Sequence, residues 1–236
     1  MEYFIFKPEF TVRLIPVLLG YLPITLFITV VSAATGLVFG AALAAGKLSR
    51  RRPLELAAKA YTTVMRCTPG IVLMFVVYYG LPMLLISLFD VNIHSFPSIF
   101  FAVVSLSMLF AATSSELLRS AYLAVDKGQR EAAVSIGLSP WQAFYRIVLP
   151  QCVKIIIPNL SLSLIALMKE AALAFTIGVI DLMGKGRLVI SNNYGGYGLE
   201  TYLAVALIYW VISFLVQQAV RLSGRRQYGR KIGSEA

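Results

Sequence analysis

The 236 residues are 58% hydrophobic and only 14% charged, a balance too apolar for a water-soluble domain and of a length that suits one membrane bundle. A formal charge of +10 would point to nucleic acid in a soluble protein. Here Lys and Arg gather in short segments between apolar runs, as in loops on the positive side of a membrane, so nucleic-acid binding is set aside.

Residues 1–13 mix Glu2, Lys7, Glu9 and Arg13 with aromatics and fit an outer membrane interface. From Leu14 to Gly46 there is no charge, a run longer than the ~20 residues a span needs. Pro16 and Pro23 bound an interfacial lead-in, and a first span is expected at about 20–45. Gly36, Gly40 and Gly46 either form a small-residue face for close helix packing or are glycines a membrane helix merely tolerates. The basic stretch Lys47, Arg50, Arg51, Arg52 and Lys59 reads as a cytoplasmic loop. A second span follows at about 61–88; Arg66 is near enough to its end to snorkel, and with Pro69 reads as architectural or gate-lining. Residues 90–97 lack Lys and Arg and should face outside; His94 is the only histidine, so no histidine metal cluster is expected.

The third span, about 97–123, turns polar toward its end. Glu116 and Arg119 are three residues apart on one helical face and can pair. Charge within a membrane helix is costly, so the pair should face protein or a water-filled path, as a structural pair or as a solute contact.

Residues 131–151 form a polar-to-amphipathic island within a loop expected at about 126–152. Asp126 can cap a first helix, with Gln129 three residues on, and Gly137 stands where a left-handed C-terminal residue is needed. Ser139, Pro140 and Gln142 match a capping box with proline at the first helical position, and Pro150 is expected to close the second helix. Trp141, Phe144, Tyr145 and Val148 fall on one apolar face. Both cysteines, Cys67 and Cys152, are expected near the cytosolic side and reduced.

The fourth span, about 155–180, carries Lys169 and Glu170, roughly 20 Å deep at 1.5 Å per residue. Adjacent side chains on a helix point about 100° apart, so these two do not simply neutralise each other. They read as functional contacts or as parts of an interhelical salt bridge. Residues 182–199 are glycine-rich and expected outside, and a fifth span runs about 201–220 before a basic tail. Fourteen of the 21 Lys and Arg then lie on one side, which orients the N-terminus outward and the C-terminus to the cytoplasm.

The pattern Glu131-Ala132-Ala133, Gly137, Ile147, Leu149-Pro150 resembles the cytoplasmic loop signature of bacterial ABC-importer permeases. The resemblance runs from about Gly20 to Arg221 and narrows to the polar amino-acid branch, through Tyr61, Arg66, Thr68 and Pro69 and through Glu116-x-x-Arg119 before Gly128-Gln129. It implies an all-α, five-helix bundle of the type I importer kind, one permease domain over 1–236, in the bacterial inner membrane. It further implies docking of loop 131–150 on a cytoplasmic ATPase dimer holding ATP and Mg, a second permease subunit and an extracytoplasmic binding protein. No cofactor, metal or catalytic group is expected on this chain, and it lacks a G-x-x-x-x-G-K-[ST] phosphate loop of its own.

Many family members have Lys-Asp-Thr-Ser-Leu where this chain has Lys169-Glu170-Ala171-Ala172-Leu173. Leu162 and Ser163 replace an Asn-Glu pair of some basic-amino-acid members, which argues against Arg or Lys as substrate. The stretch from Ala174 through Thr176 and Asp181 to Gly184 is similar to permeases of the cystine-uptake group. Lys169, Glu170, Ser163 and Thr176 are the substrate-path candidates, and a polar or sulfur-containing amino acid such as cystine is the expected cargo. The alternatives are an ion- or proton-coupled secondary transporter using Glu116, Lys169 and Glu170 as a relay, and a non-transporting assembly subunit.

Overall fold

A computed structural model of the chain describes residues 6–232. The interfacial reading of Glu2 lies outside the described residues, as do the last four residues of the 1–236 domain. Among the described residues all regular structure is helical, in nine segments: α1 Pro8–Leu19, α2 Leu22–Lys47, α3 Arg52–Cys67, α4 Gly70–Phe89, α5 Ser98–Ala124, α6 Lys127–Ser135, α7 Pro140–Ile177, α8 Leu182–Asn192 and α9 Gly198–Ile232. Five of them, α2, α4, α5, α7 and α9, are long and apolar enough to cross a membrane.

Several boundaries differ from expectation, and prolines explain most of them. The run expected at 61–88 is divided: α3 ends at Cys67 and α4 begins at Gly70, with Pro69 extended at φ −59° and ψ 136° between them. Proline lacks an N–H and pushes its predecessor out of the helical region, so Tyr61 and Arg66 belong to the separate helix α3. Pro150, by contrast, does not close the loop's second helix. That helix and the fourth span are one element, α7, in which residues Phe144–Val148 form a π-helical segment and Leu149–Ala171 resumes as α-helix. The wider π turn makes room for the proline ring at the second residue of the new α segment, where its missing N–H does least harm. α4 uses the same device: a π segment, Val76–Gly80, directly precedes Leu81-Pro82. The glycine-rich stretch at 182–199 is not all loop, since α8 occupies Leu182–Asn192.

The chain forms two compact units. One draws on the chain up to Ala34, on Thr68–Met108 and on Ile165–Val216; the other on Thr35–Cys67, Leu109–Leu164 and the chain from Gln217. In the first unit, α1 buries Thr11, Leu14 and Leu18 at helical spacing. Leu14 and Leu18 pack against Leu182 of α8 and Ala204, Val205 and Ile208 of α9. Full burial of such a leucine is worth about 1.5–3 kcal/mol. Tyr78 of α4 meets Phe101 of α5 edge-on, with ring centroids 5.3 Å apart.

The second unit rests on close approach of small residues. Ser114 Oγ of α5 donates to the carbonyl of Gly36 on α2 at 3.1 Å. A Cβ on Gly40 would lie 2.0 Å from Ser114 Oγ and 3.0 Å from the Ala111 carbonyl. A Cβ on Gly46 would touch Ala58 at 3.4 Å, so the glycine face of α2 is a packing surface and not filler. Further along α5, Ala121 and Val125 pack with Val148, Cys152 and Ile156 of α7.

Candidate functional site

The hairpin formed by α6 and the start of α7 is capped at each of its three turns. Asp126 accepts from Gly128 N at 2.6 Å and so caps α6; Gln129 adds only its backbone N–H, bonded to the Asp126 carbonyl. α6 ends with Gly137 at φ +92°. Gly137 N bonds the Val134 carbonyl at 3.0 Å and Leu138 N the Ala133 carbonyl at 3.2 Å, the paired bonds of a Schellman ending. A Cβ on Gly137 would meet nothing within 4 Å, so the backbone angle and not space calls for glycine. Ser139 Oγ accepts from Gln142 N at 3.2 Å while Gln142 Oε1 accepts from Ser139 N at 2.9 Å, completing the capping box.

The single apolar face expected on this helix is split in two. Ala143 and Val148 are buried, as is Ala133 of α6, and Phe144 turns toward Tyr122 at 6.4 Å between ring centroids. Trp141 and Tyr145 point away, in edge contact at 4.6 Å and 67% and 50% exposed, and Ile136, after α6, is 81% exposed. Of the remaining loop residues, Glu131, Ala132, Gly137 and Pro150 are exposed, and Ile147 and Leu149 half-buried. A groove of about 550 Å³ runs beside them, lined by Tyr122, Asp126, Arg130, Glu131, Val134 and Val148.

Lys169 and Glu170 on α7 are both exposed, and among the described residues neither makes a hydrogen bond or ion pair. The interhelical salt bridge considered for them is not present among the described residues. Lys169 lines a cavity of about 710 Å³ with Tyr202, Tyr209, Trp210 and Ser213 of α9. Thr176 is half-buried in the same unit, its hydroxyl donating to the Leu173 carbonyl at 2.7 Å; Ser163, also half-buried, belongs to the other unit.

Glu116 and Arg119 do pair, Arg119 Nε donating to Glu116 Oε2 at 3.0 Å. Sequence reasoning missed the third member. Lys47, read as a loop cation, is the buried last residue of α2 and donates to Glu116 Oε1 at 2.7 Å and Ser115 Oγ at 2.8 Å. Asp181 was also missed as a structural centre. It is fully buried, caps α8 by accepting from Gly184 N at 2.8 Å, and accepts from Thr25 Oγ1 at 3.1 Å. Thr25 in turn accepts from Leu182 N at 3.2 Å. Burial pushes the Asp181 carboxyl up to about 6, although the Gly184 and Thr25 bonds pull the other way. An isolated Asp directly before a glycine-containing helical stretch was the signal available for it.

The chain thus combines five membrane-length helices, a stiff capped hairpin and unpaired charges on a long apolar helix. Residues 36–227 match the family described as "Binding-protein-dependent transport system inner membrane component", and the chain belongs to that family of ABC-importer permeases. It is 37% identical over 212 residues to the L-cystine transport system permease protein TcyL of Bacillus subtilis (strain 168), covering 90% of this chain and 87% of the relative. The arginine transport system permease protein ArtQ of the same organism is 39% identical over 206 residues, covering 87% and 90%. Among solved structures, the crystal structure of an amino acid ABC transporter with histidines aligns at TM-score 0.80 and 30% identity, over 94% of this chain and 99% of that one. The MetNI methionine ABC transporter shares the fold, at TM-score 0.72 and 21% identity, over 89% of this chain and 95% of that one. Family membership favours the importer over the ion-coupled alternative.

Proposed function

We propose that this chain is the permease subunit of an amino-acid importer of the bacterial inner membrane, moving a polar or sulfur-containing amino acid, with cystine as the leading substrate. Residues 1–236 act as a single permease domain, N-terminus outward and C-terminus cytoplasmic. A separate ATPase dimer, which holds ATP and Mg, docks on the hairpin through Glu131, Ala132, Ala133, Gly137, Ile147, Leu149 and Pro150. A second permease subunit and an extracytoplasmic binding protein complete the assembly.

The observation that carries the docking role is the outward turn of Ile136, Trp141 and Tyr145 on a frame capped at every turn. Apolar side chains held in water on a stiff support suit a partner's groove, and stiffness lets the frame pass on a displacement. For the substrate path, the unpaired Lys169 and Glu170 match the carboxylate and ammonium of an amino acid, with Thr176 as a further contact; Ser163 remains a candidate for the path. The absence of an acid at Leu162 and Ser163 and the similarity to an L-cystine permease support cystine. The arginine-transport relative makes arginine the competitor to test.

The test is uptake of labelled cystine and arginine into vesicles holding the permease, its ATPase and its binding protein. ATP-dependent cystine uptake is expected, and Glu170→Gln should lower it about 10- to 100-fold, as loss of one charge-assisted contact predicts. Membrane abundance and basal ATP hydrolysis should stay near wild type. Arginine uptake without cystine uptake would overturn the substrate reading, and a parallel fall of abundance and uptake would make Glu170 structural.

A further inference from the structure

Lys47 ends the longest uncharged run of the N-terminal half, yet its side chain is only 1% exposed. A lysine is almost never so buried without a partner. Its partners are Glu116 Oε1 at 2.7 Å and Ser115 Oγ at 2.8 Å, while the second oxygen of Glu116 takes Arg119 Nε at 3.0 Å. One carboxylate of α5 is thus held by two cations, one from its own helix and one from the last turn of α2. About 8 Å further along α5, at helical rise, Ala121 packs with Val125, Val148, Cys152 and Ile156 at the root of the hairpin. The same helix therefore grips α2 at one point and the hairpin at another.

We propose that Lys47 is a positioning residue for energy coupling: its bond to Glu116 makes the end of α2 follow α5 when the hairpin is displaced. The proposal rests on the docking role given to that hairpin. Apolar contacts are non-directional and permit sliding, whereas two short charge-assisted bonds fix one register. The close contact of Gly40 with Ala111 and Ser114 leaves little slack between α2 and α5, so the ion pair transmits displacement instead of absorbing it.

Lys47→Met keeps most of the buried stem and removes the charge. Glu116 is then left with Arg119 and with water, its side chain being 32% exposed, so no carboxylate is stranded. In the complete complex of permease, ATPase and binding protein, Lys47→Met should keep near-normal abundance and basal ATP hydrolysis. Uptake per ATP hydrolysed should fall about fivefold, a size usual for loss of a coupling contact. Lys47→Arg, which can keep both bonds, should restore most of it. Unchanged uptake per ATP in Lys47→Met overturns the proposal, as does a loss of abundance that accounts for all the lost uptake. Gly137→Val, measured alongside, separates the two readings. If it uncouples while Lys47→Met does not, only the clamp is wrong; if neither uncouples, the docking role fails as well.

Discussion

Asp181 shows how one residue is shaped by its surroundings. Its carboxyl is raised from the ordinary 3.8 to about 6 because it is buried, and its hydrogen bonds recover only part of that cost. The folded chain therefore keeps a proton that the unfolded chain loses above its lower value. Stability contributed by the protonated form is complete below about pH 4 and is lost as pH rises through about 6, a difference of at most about 3 kcal/mol. The detergent-solubilised protein should unfold at a higher temperature at pH 5 than at pH 7.5, and Asp181→Asn, which keeps a capping acceptor, should flatten that slope. An equal slope in both proteins would show that another group sets it. Residues were legible in the sequence where their partners are near. Ser139 and Gln142 bond three residues apart, and Gly137 answers to its own backbone angle. Lys47 and Asp181 were not, because Glu116 lies 69 residues from the one and Thr25 lies 156 from the other.

At the scale of helices, charge-free runs marked the five spans because burying charge in hydrocarbon is costly whatever the local structure. Where a helix breaks was harder to read, since Pro69 ends one and Pro150 does not. The difference lies in the π turn before Pro150, a register set by packing and carried by no residue type. The small-residue face of α2 admits two readings from sequence alone, and its neighbour α5 decides between them. Gly40→Ala should cost about 1–3 kcal/mol by overpacking against Ser114 and Ala111, and Gly40→Leu should prevent accumulation in the membrane. Gly198→Ala, into open space, should change stability by less than about 0.5 kcal/mol. Normal thermal stability of Gly40→Leu would mean that α2 and α5 are not held this closely.

For the molecule as a whole, the distribution of Lys and Arg supports the orientation proposed above, which labelling can test. With Cys67 and Cys152 replaced, a cysteine at Asn92 should react with an impermeant thiol reagent in intact cells, and one at Ser139 only after permeabilisation. The reverse labelling would invert the topology and place the hairpin where no ATPase could reach it. The π segment at Phe144–Val148 has a further consequence, one of angular phase. A π turn accommodates one residue more than an α turn, and one residue on a helix corresponds to about 100° of rotation. Deleting a single residue there would close the π turn to an α turn and keep Cys152 and Ile156 on Ala121 and Val125, whereas inserting one in the α-helix just after it would turn them about 100° round the axis. The hairpin therefore carries one spare residue between Ser139 and Cys152: it can shed that residue and keep its aim, but it cannot gain another in the helix that follows.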